Sequence, residues 1–248
     1  MNSGFDLSKY GKLLNGEDSL EVYRIGDEDP NWSRISRYIK LRAPFHVIET
    51  VFSESEMDSA RVLGFESKST TGHPQSPRGP WRSFSFDLSA YCRKCGVGAV
   101  QNAPIRMKSE VNWGRRQTTQ LYGLHDELFV EPKVYQDVFE PLGIGYWPVM
   151  STGGKVLESV VQLRFELFVD MFLPVDHPVV GCSNCQSFKH LYRFQGYWPK
   201  VSLEQFLIAK SRQWFGSGAD AFHATFVSHE MYQVMKEHKL NCFYMPCA

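Results

Sequence analysis

No charge surplus of either sign runs through this sequence: 27 lysines and arginines stand against 27 aspartates and glutamates in 248 residues. A chain with no global field has nothing to pull it as a whole toward nucleic acid or an anionic membrane. A long apolar run is missing as well. The richest stretch, VVQLRFELFVDMFLP from Val160, carries Arg164, Glu166 and Asp170 and cannot span a bilayer. The opening residues, MNSGFDLSKYGKLLNGEDS, hold no cationic end followed by an apolar segment, so no signal peptide is expected and the expected compartment is the cytoplasm. Catalytic signatures are equally thin. STGGKV at 151–156 lacks the first glycine of a phosphate loop and has Val156 in place of Ser or Thr. WFGSGAD at 214–220 is a turn without a GxSxG elbow. SHEMY at 228–232 lacks the second histidine of a zinc-protease helix. Together these absences point away from an enzyme and leave the catalytic residue set empty.

What is present is an ordinary globular composition, 43% hydrophobic and 22% charged, with 14% aromatics available for a firm core or a Tyr-, Trp- and Phe-rich interface. Cysteine is scarce, six in all, and four of the six form two CxxC pairs: Cys92 with Cys95 and Cys182 with Cys185. In a reducing compartment such spacing favours metal ligation or redox chemistry over structural disulfides. Each CxxC turn offers two thiolates from one tight loop, and a glycine after the second cysteine, Gly96, relaxes the backbone around the metal; the second pair has Gln186 there. Joined across 90 residues, the pairs make a four-cysteine zinc site, closed and therefore structural. A thioredoxin-like redox role stays open, although neither pair opens a helical periodicity. His177 and His190 could replace a thiolate. Cys242 and Cys247, five apart on the last strand, face opposite ways and read as buried apolar residues.

Along the chain, residues 1–80 read as an N-terminal α+β segment ending in a polar linker, and residues 81–248 as a duplicated domain. HVIETVF at 46–52 is β-prone, and Ser53 with Glu56 is spaced as a helix capping box. ESKSTTGHPQSPRGP at 66–80 is the linker. The duplication rests on an echo between FVEPKVYQDVFEPLGIGYWPV from Phe129 and FVSHEMYQVMKEHKLNCFYMPC from Phe226. Both begin Phe-Val and place Tyr-Gln and Glu at matching steps, and one insertion aligns Pro148 with Pro246. Each predicts strand, short helix, strand, with Val134, Tyr135, Val138, Phe139 and Leu142 forming one apolar stripe and Ser228 capping the second helix. Between them, Gly153-Gly154 and the alternation Val161, Leu163, Phe165, Leu167, Val169 predict a β-hairpin. The expected fold class is α+β, a mainly antiparallel sheet with two strand–helix–strand units and a zinc-knuckle pair.

One local charge imbalance surrounds the first knuckle. Between 82 and 116, Arg82, Arg93, Lys94, Arg106, Lys108, Arg115 and Arg116 face only Asp87 and Glu110. Four thiolates on Zn²⁺ carry two net negative charges, which nearby cations offset; the alternative is a zinc-dependent nucleic-acid binder with Trp113 stacking on bases. The pair CRKCG and CSNCQ, with the tail WFGSGADAFHATFVSHEMYQVMKEHKLNCFYMP, resembles the bacterial double-CxxCG motif proteins known from myxobacteria, several of which are immunity proteins encoded beside toxins. The resemblance covers about residue 82 to the end, on Cys92, Cys95, Gly96, Cys182 and Cys185, and Gln186 departs from it. It implies a protein that neutralises a cognate bacterial toxin by protein–protein binding; beside it, the paired cysteines predict structural Zn²⁺, the zero net charge disfavours nucleic acid as partner, and the lack of a spanning apolar run predicts no membrane partner. It leaves the toxin and the oligomeric state unassigned.

Overall fold

Strand dominates and helices are few in the computed structural model, which describes residues 9, 12–17, 20–26, 29–42, 50–192, 195–202 and 205–248. The chain divides into two compact units, 1–49 and 50–248. In the first, β1 (Lys12–Glu17) and β2 (Leu20–Arg24) pair as an antiparallel hairpin, and helix α1 (Trp32–Arg42) follows. Of the β-prone run 46–52, the first four residues lie outside the described ones, and residues 50–52 form no strand.

The second unit opens with α2 (Glu54–Ser59), started by the expected capping box: Glu56 N–H donates to Ser53 Oγ at 3.2 Å and Ser53 N–H to Glu56 Oε2 at 2.8 Å. Along the chain come β3 (Val62–Ser67), α3 (Arg82–Ser85), β4 (Phe86–Asp87), β5 (Val100–Gln101), β6 (Arg106–Met107), β7 (Thr118–Leu121) and β8 (Leu124–Val130). Next are α4 (Pro132–Val134), β9 (Tyr146–Ser151), β10 (Val156–Leu163) and β11 (Phe168–Val169). The last stretch holds β12 (Val179–Gly181), β13 (Phe188–His190), β14 (Ile208–Phe215), β15 (Phe222–Ser228), α5 (His229–Glu237) and β16 (Cys242–Pro246). One sheet has the order β6-β9-β10-β8-β7. The other runs β12-β13-β14-β15-β3-β16, with β11 beside β14, and β4 pairs β5. The sheets are mixed rather than purely antiparallel, because β6–β9, β11–β14 and β13–β14 run parallel.

The two echoing segments occupy equivalent places. Across the first sheet one row reads Thr119–Phe129–Gln162–Trp147 and the next Thr118–Val130–Val161–Pro148. Across the second the rows read Ala209–Phe226–Gly64–Met245 and Ile208–Val227–Leu63–Pro246. In each, a hairpin strand, a helical turn and a returning strand enclose a central strand antiparallel to both neighbours. That central strand is β10, just after the first segment, but β3, far ahead of the second segment in sequence. Both helices bury their apolar faces in one shared core: Val134, Tyr135, Val138 and Phe139 from one, Met231, Tyr232 and Met235 from the other. The first helix departs from α geometry. Pro141 has no N–H to bond the carbonyl of Asp137, so residues 135–139 widen into a π-turn, with Glu140 N–H reaching Tyr135 O, and 140–142 tighten into a 3₁₀ turn. The second keeps the α form under its expected cap, Met231 N–H donating to Ser228 Oγ at 3.2 Å.

Two expectations need correction. The boundary at residue 80 does not divide the second unit, since β3 is the central strand between β15 and β16 and ties residues 62–67 to the tail. The polar run 66–80 begins as that strand and continues as a joint between the sheets. Ser67 Oγ lies 2.9 Å from Thr118 Oγ1, Thr71 Oγ1 lies 3.0 Å from Thr119 Oγ1, and Gln120 N–H donates to Ser69 O at 2.9 Å. Hydroxyls that read as linker in composition are buried because they satisfy one another. The predicted hairpin forms from β9 and β10, but its alternation does not continue as one strand: Val161 and Leu163 stay in the first sheet while Val169 joins the second beside β14.

Candidate metal centre

The knuckles are built by the same two backbone bonds. In the first, Cys92 N–H donates to Val97 O and Gly96 N–H to Cys92 O, both at 2.8 Å; in the second, Cys182 N–H donates to Ser187 O at 2.9 Å and Gln186 N–H to Cys182 O at 3.0 Å. Each turn folds its two thiols to one side. The residue after the second cysteine must take a left-handed backbone, with φ of 83° at Gly96 and 63° at Gln186. At Gly96 a side chain would also strike the Ala219 carbonyl, so glycine is required twice over. Gln186 escapes that collision but carries the left-handed strain.

The same asymmetry recurs at the helix ends. Gly143 (φ 73°) and Lys239 (φ 54°) are both left-handed, and the next N–H, of Ile144 or Leu240, bonds the carbonyl five residues back. Among the described residues Gln186 and Lys239 are the two non-glycine residues with positive φ, and each stands where the other half has glycine. Gln186→Gly and Lys239→Gly should therefore each stabilise the protein by about 0.5–1 kcal/mol, the relief of left-handed strain less the entropy a glycine adds to the unfolded chain. Urea unfolding midpoints measure it. A lowered midpoint in both variants would show that neither backbone is strained.

The structure brings all four sequence-predicted sulfurs together. Cys92 Sγ lies 3.8 Å from Cys182 Sγ and Cys95 Sγ 3.5 Å from Cys185 Sγ, and all four Sγ atoms fall within 4.8 Å of one another. A tetrahedron of thiolates at about 2.3 Å from a zinc ion has its sulfurs about 3.8 Å apart. The four can hold a metal ion of that size, and each pair contributes one cysteine to each close contact. Cys92, Cys95 and Cys182 are buried beside Val97, with Trp214 and Ala221 packed against them. The Asn184 side chain, whose Nδ2 donates to Cys92 Sγ at 3.4 Å, and the backbone N–H groups of Cys95 and Lys94 bring the Cys92 thiol down to about 6. Burial pushes Cys95 up to about 12.

Other candidates fall elsewhere. His177 and His190 face each other, ring centroids 5.4 Å apart, against Phe215, and are not among the clustered ligands. Cys242 is buried beside Thr118, and burial raises Cys242 to about 11 and Cys247 to about 12, in keeping with apolar roles. Trp113, read as a base-stacking ring, is buried in the core of the first sheet with Nε1 donating to Ser159 O at 2.6 Å. Around it the basic segment is partly consumed internally. Arg116 donates to the carbonyls of Trp113 and Asn112, Arg106 to that of Ser151, and the Arg82 guanidinium stacks on Trp81 at 4.3 Å.

Two buried lysines escaped the sequence reading because nothing local marks them. Lys189, on β13, is 2% exposed and sends Nζ to three carbonyls: Cys95 O at 2.7 Å, Gly218 O at 2.8 Å and Asp220 O at 2.6 Å. Lys210, on β14, reaches across to β8, with Nζ 2.6 Å from Glu127 Oε1 and 3.5 Å from Asp126 Oδ2. Asp220 in turn lies 3.2 Å from His125 Nε2, so the turn under the first knuckle is also bound to β8. The four-cysteine cluster thus sits where the two knuckles, the 216–221 turn and both sheets meet. No protein-family model matches this chain, and no curated protein matches it in sequence.

Proposed function

We propose that this chain is an immunity-type binding protein, a zinc-clasped scaffold that neutralises a bacterial protein toxin by covering part of its surface. Cys92, Cys95, Cys182 and Cys185 would hold the zinc. Four protein thiolates fill its tetrahedron, so the ion supplies cohesion between the two knuckles and no open position for chemistry. No described helix is long and apolar enough to cross a membrane, and the binding partner we assign is protein.

The observation that carries this reading is where apolar surface is left uncovered. Six of the fourteen exposed large hydrophobic side chains among the described residues fall between 172 and 197: Phe172, Val175, Val179, Val180, Phe188 and Tyr197. Three of them ride on β12 and β13, the strands flanking the second knuckle. No strand pairs with β12 on its outer side among the described residues. A rigid metal-held hairpin presenting Val179 and Phe188, the latter 64% exposed, is suited to anchor a partner protein. The resemblance to double-CxxCG proteins supplies the toxin as the partner class. The nucleic-acid reading loses its stacking ring with the burial of Trp113.

The test is co-expression with the product of the adjacent gene. Growth rescue and a stable one-to-one complex are expected, with Val179→Asp plus Phe188→Asp weakening the complex at least about 30-fold, the scale of a central anchor. Zinc content should be unchanged in that variant. Fluorescence anisotropy with duplex DNA and single-stranded RNA should show no binding near about 150 mM salt, where phosphate-driven affinity has already declined. Submicromolar nucleic-acid affinity at that salt, lost in Arg93→Ala with Arg115→Ala, would overturn the proposal.

A further inference from the structure

The three oxygens around Lys189 Nζ are all backbone carbonyls, which can only accept. A neutral amine has two N–H groups and would turn its lone pair on the third oxygen. An ammonium satisfies all three, so a full positive charge sits at a position 2% exposed to solvent. Among the described residues no carboxylate lies within ion-pair distance of it; Asp220, whose carboxyl is held below its usual value mainly by His125 and in part by Lys189, makes its contact with His125. A buried charge without a counter-ion is costly. One of the three oxygens belongs to Cys95, whose thiol is in the four-sulfur cluster, and Lys189 itself is four residues past Cys185. Asp220 supplies part of the compensating negative charge without touching the ammonium, and the bond to Cys95 O places the ammonium against the knuckle of the cluster, which would carry two net negative charges when four thiolates hold a divalent ion.

We propose that Lys189 is the built-in counter-charge of the metal centre: a buried ammonium that makes the site prefer four ionised thiolates around a divalent cation and that seats the first knuckle on the 216–221 turn. The inference rests on the zinc reading above and names a residue that acts through the ligands rather than as one of them. Lys94 makes a useful contrast. It belongs to the knuckle itself, but it is exposed and its Nζ donates to Ser183 Oγ at 2.7 Å, so its charge is already solvated. Removing the buried charge should matter far more than removing the exposed one.

Zinc affinity, measured by competition with a chromophoric chelator, is expected to fall about 10- to 100-fold in Lys189→Met, the range seen when groups supporting metal ligands are lost. In Lys94→Met it should change less than about threefold. A purely structural lysine would lower the thermal stability of zinc-loaded and zinc-stripped protein equally and leave zinc affinity unchanged, and that result would overturn the proposal. Should Lys189→Met fail to fold, the native protein decides. Its Lys189 ¹⁵N-ammonium resonance should be protected from exchange with zinc bound and lose that protection when zinc is chelated. A resonance indifferent to zinc would overturn the counter-charge role. Native protein that binds no zinc at all would instead sink the metal reading itself, which the same titration detects first.

Discussion

Serine in place of any one of Cys92, Cys95, Cys182 or Cys185 should reduce bound zinc from about one ion per chain to a small fraction of that and lower the unfolding temperature by more than about 10 °C. The size follows from linkage. Structural zinc contributes on the order of 10 kcal/mol or more to the state that binds it. The whole stability of a domain is only about 5–15 kcal/mol, and each kcal/mol lost moves the midpoint of a unit this long by roughly 2–4 °C. All four substitutions should behave alike, because the four sulfurs lie within 4.8 Å of one another and losing any one leaves the same tetrahedron a thiolate short. A strong chelator should reproduce the loss in the native protein and added zinc should reverse it. Elemental analysis and calorimetry on the same samples read both quantities. A serine variant with full thermal stability and full zinc content would remove the clasp from the account.

Removing Lys210 should be the second large effect. Lys210→Met leaves Asp126 and Glu127, neighbours on β8, buried against β14 without their lysine, and about 3–5 kcal/mol of stability should go with it. Burial opposes the charge of Asp126, but Lys210 and His223 outweigh it and hold the carboxyl below its usual value. For Glu127 burial wins over Lys210 and raises it. Lys210 loses affinity for its proton through burial and regains more from the two acids, ending raised. The native contribution of Asp126 is thus present above the ordinary carboxylate range and fades as pH falls through its lowered value. In the variant both acids are destabilising while ionised, so the deficit against the native protein should be largest near pH ~7 and shrink toward pH ~4 as they take up protons. Glu127→Gln should cost much less, because the new amide can still meet Gln162, whose Nε2 in the native protein donates to Glu127 Oε2 at 2.8 Å. Urea midpoints at both pH values decide. A Lys210→Met loss below about 1 kcal/mol would mean that water or neighbouring donors serve the two carboxylates in its place.

Some features are legible in single short stretches, because the chemistry that makes them is local. Ser53 and Glu56 cap α2 with atoms three residues apart, and Ser228 does the same for α5. Each CxxC turn is closed by bonds within six residues, so spacing alone foretold two thiols on one side of a loop. The echo of Phe129 and Phe226 was visible because both segments spend the same side chains on the same strand–helix–strand path. Even the departure at Gln186 could be seen as a missing glycine, although its φ of 63° could not.

What the tertiary structure decided is everything whose partner is distant in sequence or is a backbone atom. The central strand of the second sheet comes from Val62–Ser67, and no local pattern reveals which of several strands will lie between β15 and β16. Residues 67–71 have the composition of a linker and the position of a joint, since a serine or threonine is as much at home beside another hydroxyl as in water. Lys189 and Lys210 read as solvated lysines. Their burial depends on three carbonyl oxygens from two distant loops in one case and on two carboxylates of a facing strand in the other. Side-chain chemistry within a turn or two was written in the sequence itself; the company each charge and hydroxyl keeps was settled only when residues 29 to 160 positions apart came together.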